Sequence, residues 1–537
     1  MLQSGKPIAF LLTVSVALGV AASSCGDDSS TPGTGGGGGQ GGGGGVGASK
    51  HPDPDPLPAL SEAKLTTEQI ETYPPEVPGV ASNHDVREPE VVRDLLAQGY
   101  GDIGIGAGEP ITTQTLDDED PPRAGPNAHL VTRFVHLADT QLADDESPAR
   151  VVLLDSARGA TSGAFRPQEG HECRILNAAV RTINKIHETL PFEMVILGGD
   201  NSDNAQANEV DWFQAILDGN PRVECDSGDD DDPTPGPAND PKDPFFADGL
   251  DVPWKWVTGN HDILNQGNFT VDFKQDDYLS DFAGAGTRDW SQPGGPMYKG
   301  LLTPDPRRAG LYQNDLLTKV AASGDGHGID DAVIEYGKAF YSFDLGATVR
   351  VLVLDTAAAD SGGADGLMLR EDVDAFLIPQ LTRAQIDGKA VILTSHHASR
   401  ALRDGDVFGG EVQPTAILAE EFQDIVGSFD NVIMHLAGHT HIHRVTKNLP
   451  PGGHAYWDAE SAALGDMPHQ MRVVEIHDMD NGFYVIRLIA FDFSTEGDDV
   501  AKEGKSIGVL DYSSGWAEDA RGEASSRNVD LWVPVGP

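Results

Sequence analysis

The chain has 537 residues and carries 85 acidic against 37 basic side chains, a formal charge of −48. That length allows one large catalytic domain with insertions, or two ordinary domains. The negative field reaches about a Debye length, ~8–10 Å at ordinary salt, and disfavours nucleic-acid polymers and anionic membrane surfaces while leaving room for a small anion held by metals.

Lys6 supplies a positive start, residues 8–22 are almost wholly apolar, and Ala22-Ser23-Ser24-Cys25 follows. The apolar run is too short to span a bilayer comfortably and reads as an export signal, 1–25. The small residues before Cys25 resemble the lipobox of bacterial lipoproteins, although Ala22 stands where that pattern has leucine. Ordinary secretion with cleavage near Ala21 or Ala22 is the other reading. Both put the mature protein in the periplasm or at the cell surface, and the first adds a lipid anchor. Residues 26–75 read as a linker, flexible through the glycines of 35–47 and stiff through the alternating prolines of 52–58. Cys173 and Cys225 are the only cysteines in the body of the chain. Pairing them would close roughly 50 residues, worth ~3–4 kcal/mol in the chain-entropy model, and neither has neighbours at zinc-site spacing.

Residues 76–537 read as a single domain. Apolar, β-branched runs predict strands at 131–137, 194–197, 254–257, 339–345, 349–354, 391–394 and 432–436. Residues 175–186 carry apolar side chains at helical spacing. Each strand delivers polar residues at its C-terminal end, where α/β sheets bind ligands. The expected fold is α/β, two packed mixed β-sheets flanked by helices. Two insertions interrupt it: an acidic, Pro-rich stretch at 224–243, read as a solvated loop, and a longer one at 265–337. Within 101–108 the glycines have the look of a nucleotide-binding loop, but Glu109-Pro110-Ile111-Thr112-Thr113 opens no helix, so that reading fails its context.

Five short motifs sit at strand ends: Asp139-Thr140-Gln141, Gly199-Asp200-Asn201-Ser202-Asp203, Gly259-Asn260-His261-Asp262, His396-His397 and Gly438-His439-Thr440-His441. Two divalent cations ~3.5–4 Å apart need a bridging carboxylate, and Asp200 is placed to be one. Neutral imidazoles and amide oxygens complete such shells without excess negative charge, and a glycine before a ligand lets the backbone approach closely.

The content and order of these motifs resemble the calcineurin-like metallophosphoesterase superfamily, with the likeness spanning 139–441. Long insertions and Asp-x-Gln in place of Asp-x-His are similar to one branch of it, as are Phe165-Arg166-Pro167-Gln168, Asp305-Pro306-Arg307-Arg308 and Arg527-Asn528-Val529. The resemblance implies two divalent metal ions, from among Mn, Mg, Fe, Ca and Zn. Asp139, Gln141, Asp200 and His441 would hold the first, and Asp200, Asn260, His396 and His439 the second. It favours His396 over His397 as the ligand. A hydroxide bridging the metals would attack phosphorus in line, with His261, oriented by Asp262, beside the leaving group. Gln141 is a harder, weaker ligand than imidazole and would turn the first site from zinc towards Mn²⁺, Mg²⁺ or Ca²⁺. Asp203 stands where purple acid phosphatases place a tyrosine, which argues against a coloured ferric site and makes Asp203 a buttress rather than a ligand.

Arg307 and Arg308 are candidates to clamp a substrate phosphate, with an ordinary surface pair as the plain alternative, and Arg166 has the same standing. Asp229 to Asp232 reads as a solvated acid run or a calcium site. The expected function is hydrolysis of small phosphate esters, mono- or diester left open. The rivals are a metal-binding or scaffold protein weakened at Gln141, and a calcium-dependent adhesin. Oligomeric state has no signature.

Overall fold

Thirteen strands, numbered here in chain order, close into two large mixed sheets. They are β1 (Thr112–Thr115), β2 (His129–Leu137), β3 (Val195–Leu197), β4 (Trp254–Lys255), β5 (Tyr341–Leu345), β6 (Val349–Val353) and β7 (Ala390–Thr394). There follow β8 (Val432–Ala437), β9 (Arg444–Asn448), β10 (Tyr456–Glu460), β11 (Gln470–Asp478), β12 (Phe483–Asp492) and β13 (Val529–Pro534). The first sheet runs β1-β13-β12-β11-β2-β3-β4 and the second β5-β6-β7-β8-β10-β9. The computed structural model describes residues 54–64, 67, 70–73, 85–157, 161, 163–228, 241–270, 282–358, 363–405 and 412–535, which fall in one compact unit. The stretch read as an export signal, most of the glycine-rich linker and Asp229 to Asp232 lie outside the described residues.

Alternation decides which side chains meet which layer. Val349, Val351 and Val353 of β6 join Phe134, Ile196 and Val474, which share one face of the first sheet, in one buried cluster. Their neighbour Leu352, with Leu354, faces the other way, joining Val391 and Leu393 under the helices. Those covering helices are α3 (Ile378–Ile386) and α4 (Ala419–Gly427), which supply Leu381, Ala384, Phe422 and Val426. On the first sheet lie α1 (Glu172–His187) and α2 (Ala207–Asp218), buried through Ile175, Leu176, Val180 and Ile183, and through Val210, Phe213 and Ile216. A fifth helix, α5 (Asp499–Ser514), packs on α1. Each fully buried Val, Leu or Ile is worth ~1.5–3 kcal/mol. Cys173, near the start of α1, is disulfide-bonded to Cys225, with Cα atoms 6.7 Å apart. None of the described helices is long and apolar enough to cross a membrane.

Two expectations change, and the longer insertion gains a role. The linker ends earlier than residue 75: Leu60 is buried, Pro58 O accepts from Arg181, Ser61 bonds Glu496, and Ile70–Tyr73 pairs antiparallel with Gly104–Ala107. The described ends of the acidic stretch are not solvated, because Lys242 is buried against Asp145 and the carbonyl of Cys225. The 265–337 insertion also contributes to the core, where Leu316, Leu317, Val320 and Ile329 join the central cluster. Apolar spacing there marks packed helix, and the prolines and glycines around it obscure that signal.

Candidate metal centre

The motifs converge because the strands that carry them are neighbours. β2, β3 and β4 run parallel and end just before Asp139, Asp200 and Asn260. In the second sheet, β7 and β8 run parallel and end just before His396 and His439. Asp139, Asp200 and His396 each present a ligand atom within 4.8 Å of the other two, and His396 forms a second such group with His397 and His439. Nε2 of His441 lies 3.4 Å from Oδ1 of Asp139.

The backbone is bent to achieve this. Asp139 (φ 52), Gln141 (φ 47), Asp200 (φ 52), His439 (φ 71) and His441 (φ 58) all occupy the left-handed region. Side-chain-bearing residues there cost of order ~1–3 kcal/mol each and persist where surrounding structure enforces them. Backbone bonds do so: Asp139 N donates to Gly199 O at 3.0 Å, Gln141 N to Asp200 O at 2.8 Å, and His439 N to the Asp139 carboxylate at 3.0 Å. Glycine is required at 259, where a Cβ would fall on the carboxylate and backbone nitrogen of Asp200.

Polar pairing gives the centre its chemistry. Gln141 donates from Nε2 to Asp200 at 3.4 Å, Asn260 from Nδ2 to Gly267 O at 3.0 Å, and His396 uses Nδ1 on Gly198 O at 2.8 Å. Gln141 Oε1 and Asn260 Oδ1 are left buried without a hydrogen bond, and His396 Nε2 faces the Asp200 carboxylate, 3.1 Å from its Oδ2. Leaving a buried polar atom unpaired costs ~1–3 kcal/mol, and two such oxygens beside a cluster of carboxylates and imidazoles mark a position for another ligand. Two carboxylates, two amide oxygens and three imidazoles suit a pair of divalent cations. His397 differs, because its Nδ1 meets Thr356 Oγ1 and its Nε2 the carbonyl of Ala364, both at 2.9 Å.

Charge follows the same layout. Burial opposes ionisation of Asp200, yet His396 and His261 beside it hold its carboxyl well below the usual range. Burial lowers His396 and His441, but Asp200 raises the first to about 9, and Asp139 with Asp466 raises the second to about 10. His439 is held well below its ordinary value by burial and by His397 and His396.

The structure changes several expected roles. Asp262 does not orient His261. Its carboxylate accepts from Asn201 N, Ser202 N and Gly259 N at 2.8–2.9 Å, so it organises the loop around Asp200, and burial with Asp200 nearby raises it to about 7. Asp203 takes that place, with Oδ1 lying 2.9 Å from His261 Nδ1. His261 N donates to Asp200 Oδ1 at 2.9 Å, and Asp200 and Asp203 together outweigh burial to raise its ring. Arg307 and Arg308 are not aimed at this centre. Arg307 is held by Asp305, and the buried Arg308 by Asp144, Ser227 and the carbonyl of Thr303. Arg166 does reach the centre, 2.9 Å from Asp466 and 3.6 Å from Asp203. Sequence reasoning missed Asp466, whose Oδ2 meets His441 Nδ1 at 2.6 Å, and Arg150, which holds Asp203 against Glu169. The only local signal for Asp466 is an acid between Gly465 and Met467-Pro468, at the entry to a strand.

No protein-family model matches the chain, and no curated protein does. Among solved structures it is similar to a dimetal phosphatase from Danio rerio, at 14% identity and TM-score 0.37, over 68% of this chain and 100% of that one. It is also similar to PhoD, at 9% identity and TM-score 0.31, over 75% of this chain and 79% of that one. A third likeness is to purple acid phosphatase PPD1 from yellow lupin (Lupinus luteus) seeds, at 14% identity and TM-score 0.29, over 74% and 55%. Likenesses this remote establish neither a family nor an activity for the chain.

Proposed function

We propose that the chain hydrolyses small phosphate esters with two divalent cations. Asp139, Gln141, Asp200 and His441 would hold one, and Asp200, Asn260, His396 and His439 the other. The observation that carries this reading is the two buried oxygens without a hydrogen bond, Gln141 Oε1 and Asn260 Oδ1, beside the clustered ligand atoms of Asp139, Asp200 and His396. Bound there, the ions would polarise a phosphoryl oxygen and bring the pKa of water from ~15.7 towards ~7. His261 stands 4.0 Å from Asp200 Oδ2, its proton favoured by two carboxylates, and is the group to protonate the departing oxygen. Gln141 also motivates the rival reading of a weakened scaffold, but its free Oε1 leaves a donor where a ligand is needed. Amide and carboxylate oxygens suit the first site to Mn²⁺, Mg²⁺ or Ca²⁺, and two imidazoles suit the second to Zn²⁺, Fe²⁺ or Mn²⁺. From the pattern of its first 25 residues we read the protein as exported and tethered through Cys25.

The test is hydrolysis of paired aryl phosphate mono- and diesters by the full-length protein. Chelator-stripped enzyme is resupplied with each of the five metals, beside His439→Ala. Restored turnover that the variant lacks is the expected result, and the better ester names the class. Folded protein that turns over neither ester with any metal contradicts the proposal.

A further inference from the structure

Arg166 occupies an unusual position between two carboxylates of the centre. Its Nε lies 2.9 Å from Oδ1 of Asp466, whose other oxygen meets His441 Nδ1 at 2.6 Å. Its Nη1 lies at an ion-pair distance, 3.6 Å, from Oδ1 of Asp203, and His261 Nδ1 stands 2.9 Å from that oxygen and 3.0 Å from the Asp203 carbonyl. The side chain is 8% exposed, so water competes little for these contacts. Its own backbone is fixed by Glu169, which accepts from Arg166 N at 2.8 Å. One guanidinium thus pairs closely with the partner of a candidate metal ligand and lies within ion-pair distance of the partner of the candidate proton donor.

We infer that Arg166 is a positioning residue that sets both histidines at once, His441 through Asp466 and His261 through Asp203. A planar fork of donors can span two carboxylates, whereas a lysine ammonium is a single point charge. Imidazole orientation follows from what holds the nitrogen away from the ligand side, and losing such a partner typically weakens metal binding ~10–100-fold. The two arms are unequal. Asp203 keeps Arg150 and Gln266 on its second oxygen if Arg166 is lost. Asp466 keeps only Gln168 at 3.3 Å beside His441 among the side-chain hydrogen bonds seen here. The His441 arm therefore depends more on Arg166 than the His261 arm does. The consequences for turnover rest on the phosphoesterase proposal, while the ring geometry does not.

The test reads imidazole nitrogen signals in metal-free, histidine-labelled, full-length protein. Arg166→Ala should displace the ring signals of both His441 and His261, the former by more. The signal of His435, whose nitrogens are held by Ser395 and Ser399 at 2.7 Å, should stay in place. Asp466→Asn should move His441 alone, and Asp203→Asn His261 alone. Arg166→Lys, which keeps the charge, should reproduce the double displacement, and it carries the test if the alanine variant does not fold. Titration with Mn²⁺ should then show binding to Arg166→Ala ~10–100-fold weaker than to wild type. Esters with poor leaving groups should lose more rate than activated ones. A folded Arg166 variant in which either ring stays put overturns the inference. Wild-type protein that takes up no metal would overturn the phosphoesterase proposal while the ring result stands.

Discussion

Gln141 and Asn260 turn carbonyl oxygens, not charges, toward the centre, and that choice governs its electrostatics. Two divalent cations facing only Asp139 and Asp200 would leave the centre net positive, able to hold a phosphate ester inside a chain whose formal charge is −48. Before metal binds, protons take the cations' place on His396 and His441, raised to about 9 and about 10 by the carboxylates beside them. Because these values lie above the ordinary 6.5, the ion pairs stabilise the metal-free protein fully below that pH. The contribution is lost as pH rises through about 9 and about 10. A metal bound by these residues would have to displace those protons. Calorimetric titration at pH 7.5 in buffers of differing ionisation enthalpy should therefore report protons released per metal bound. A released-proton count of zero would show that the rings are already neutral. At this scale the motif residues were legible in the sequence and their supporting partners were not. Asp466 meets His441 only because the β10–β11 connection returns to the centre. Arg308 looked free for a phosphate, yet its partner Asp144 lies 164 residues away.

The strand ends form the next scale, where short loops carry five candidate ligands in left-handed backbone. Gly259 is the tightest point among the glycines that serve them, and Gly259→Ala should push Asp200 out of place. We expect overpacking of ~1–3 kcal/mol in thermal or denaturant unfolding, with loss of metal uptake in calorimetry. A variant that binds metal as wild type does would show that the loop yields without moving Asp200. The strands themselves were readable because both large sheets hold unbroken runs buried throughout, Val195–Leu197 in the first and Ala390–Thr394 and Val432–Ala437 in the second. β4 was harder, since its pairing with β3 stops after Lys255 and residues 256–259 continue as loop. The 265–337 segment was readable only as an insertion because its core helix, Gln313–Ala321, is nine residues long and lies among turns.

For the molecule as a whole, the Cys173–Cys225 disulfide spans 52 residues and fastens α1 to the segment after α2. The chain-entropy model gives such a closure ~4 kcal/mol. Cys173→Ser/Cys225→Ser should lose about that much in denaturant unfolding of metal-free protein, and an unchanged midpoint would show that the packed helices suffice. The whole account turns on two cations shared by one bridging aspartate. Its most direct test is the number of metal ions bound per chain after stripping and reloading. Two per wild-type chain, one for His441→Ala and none for Asp200→Ala are the expected counts. A wild-type chain that binds none or one, or an Asp200→Ala variant that keeps both, would contradict it.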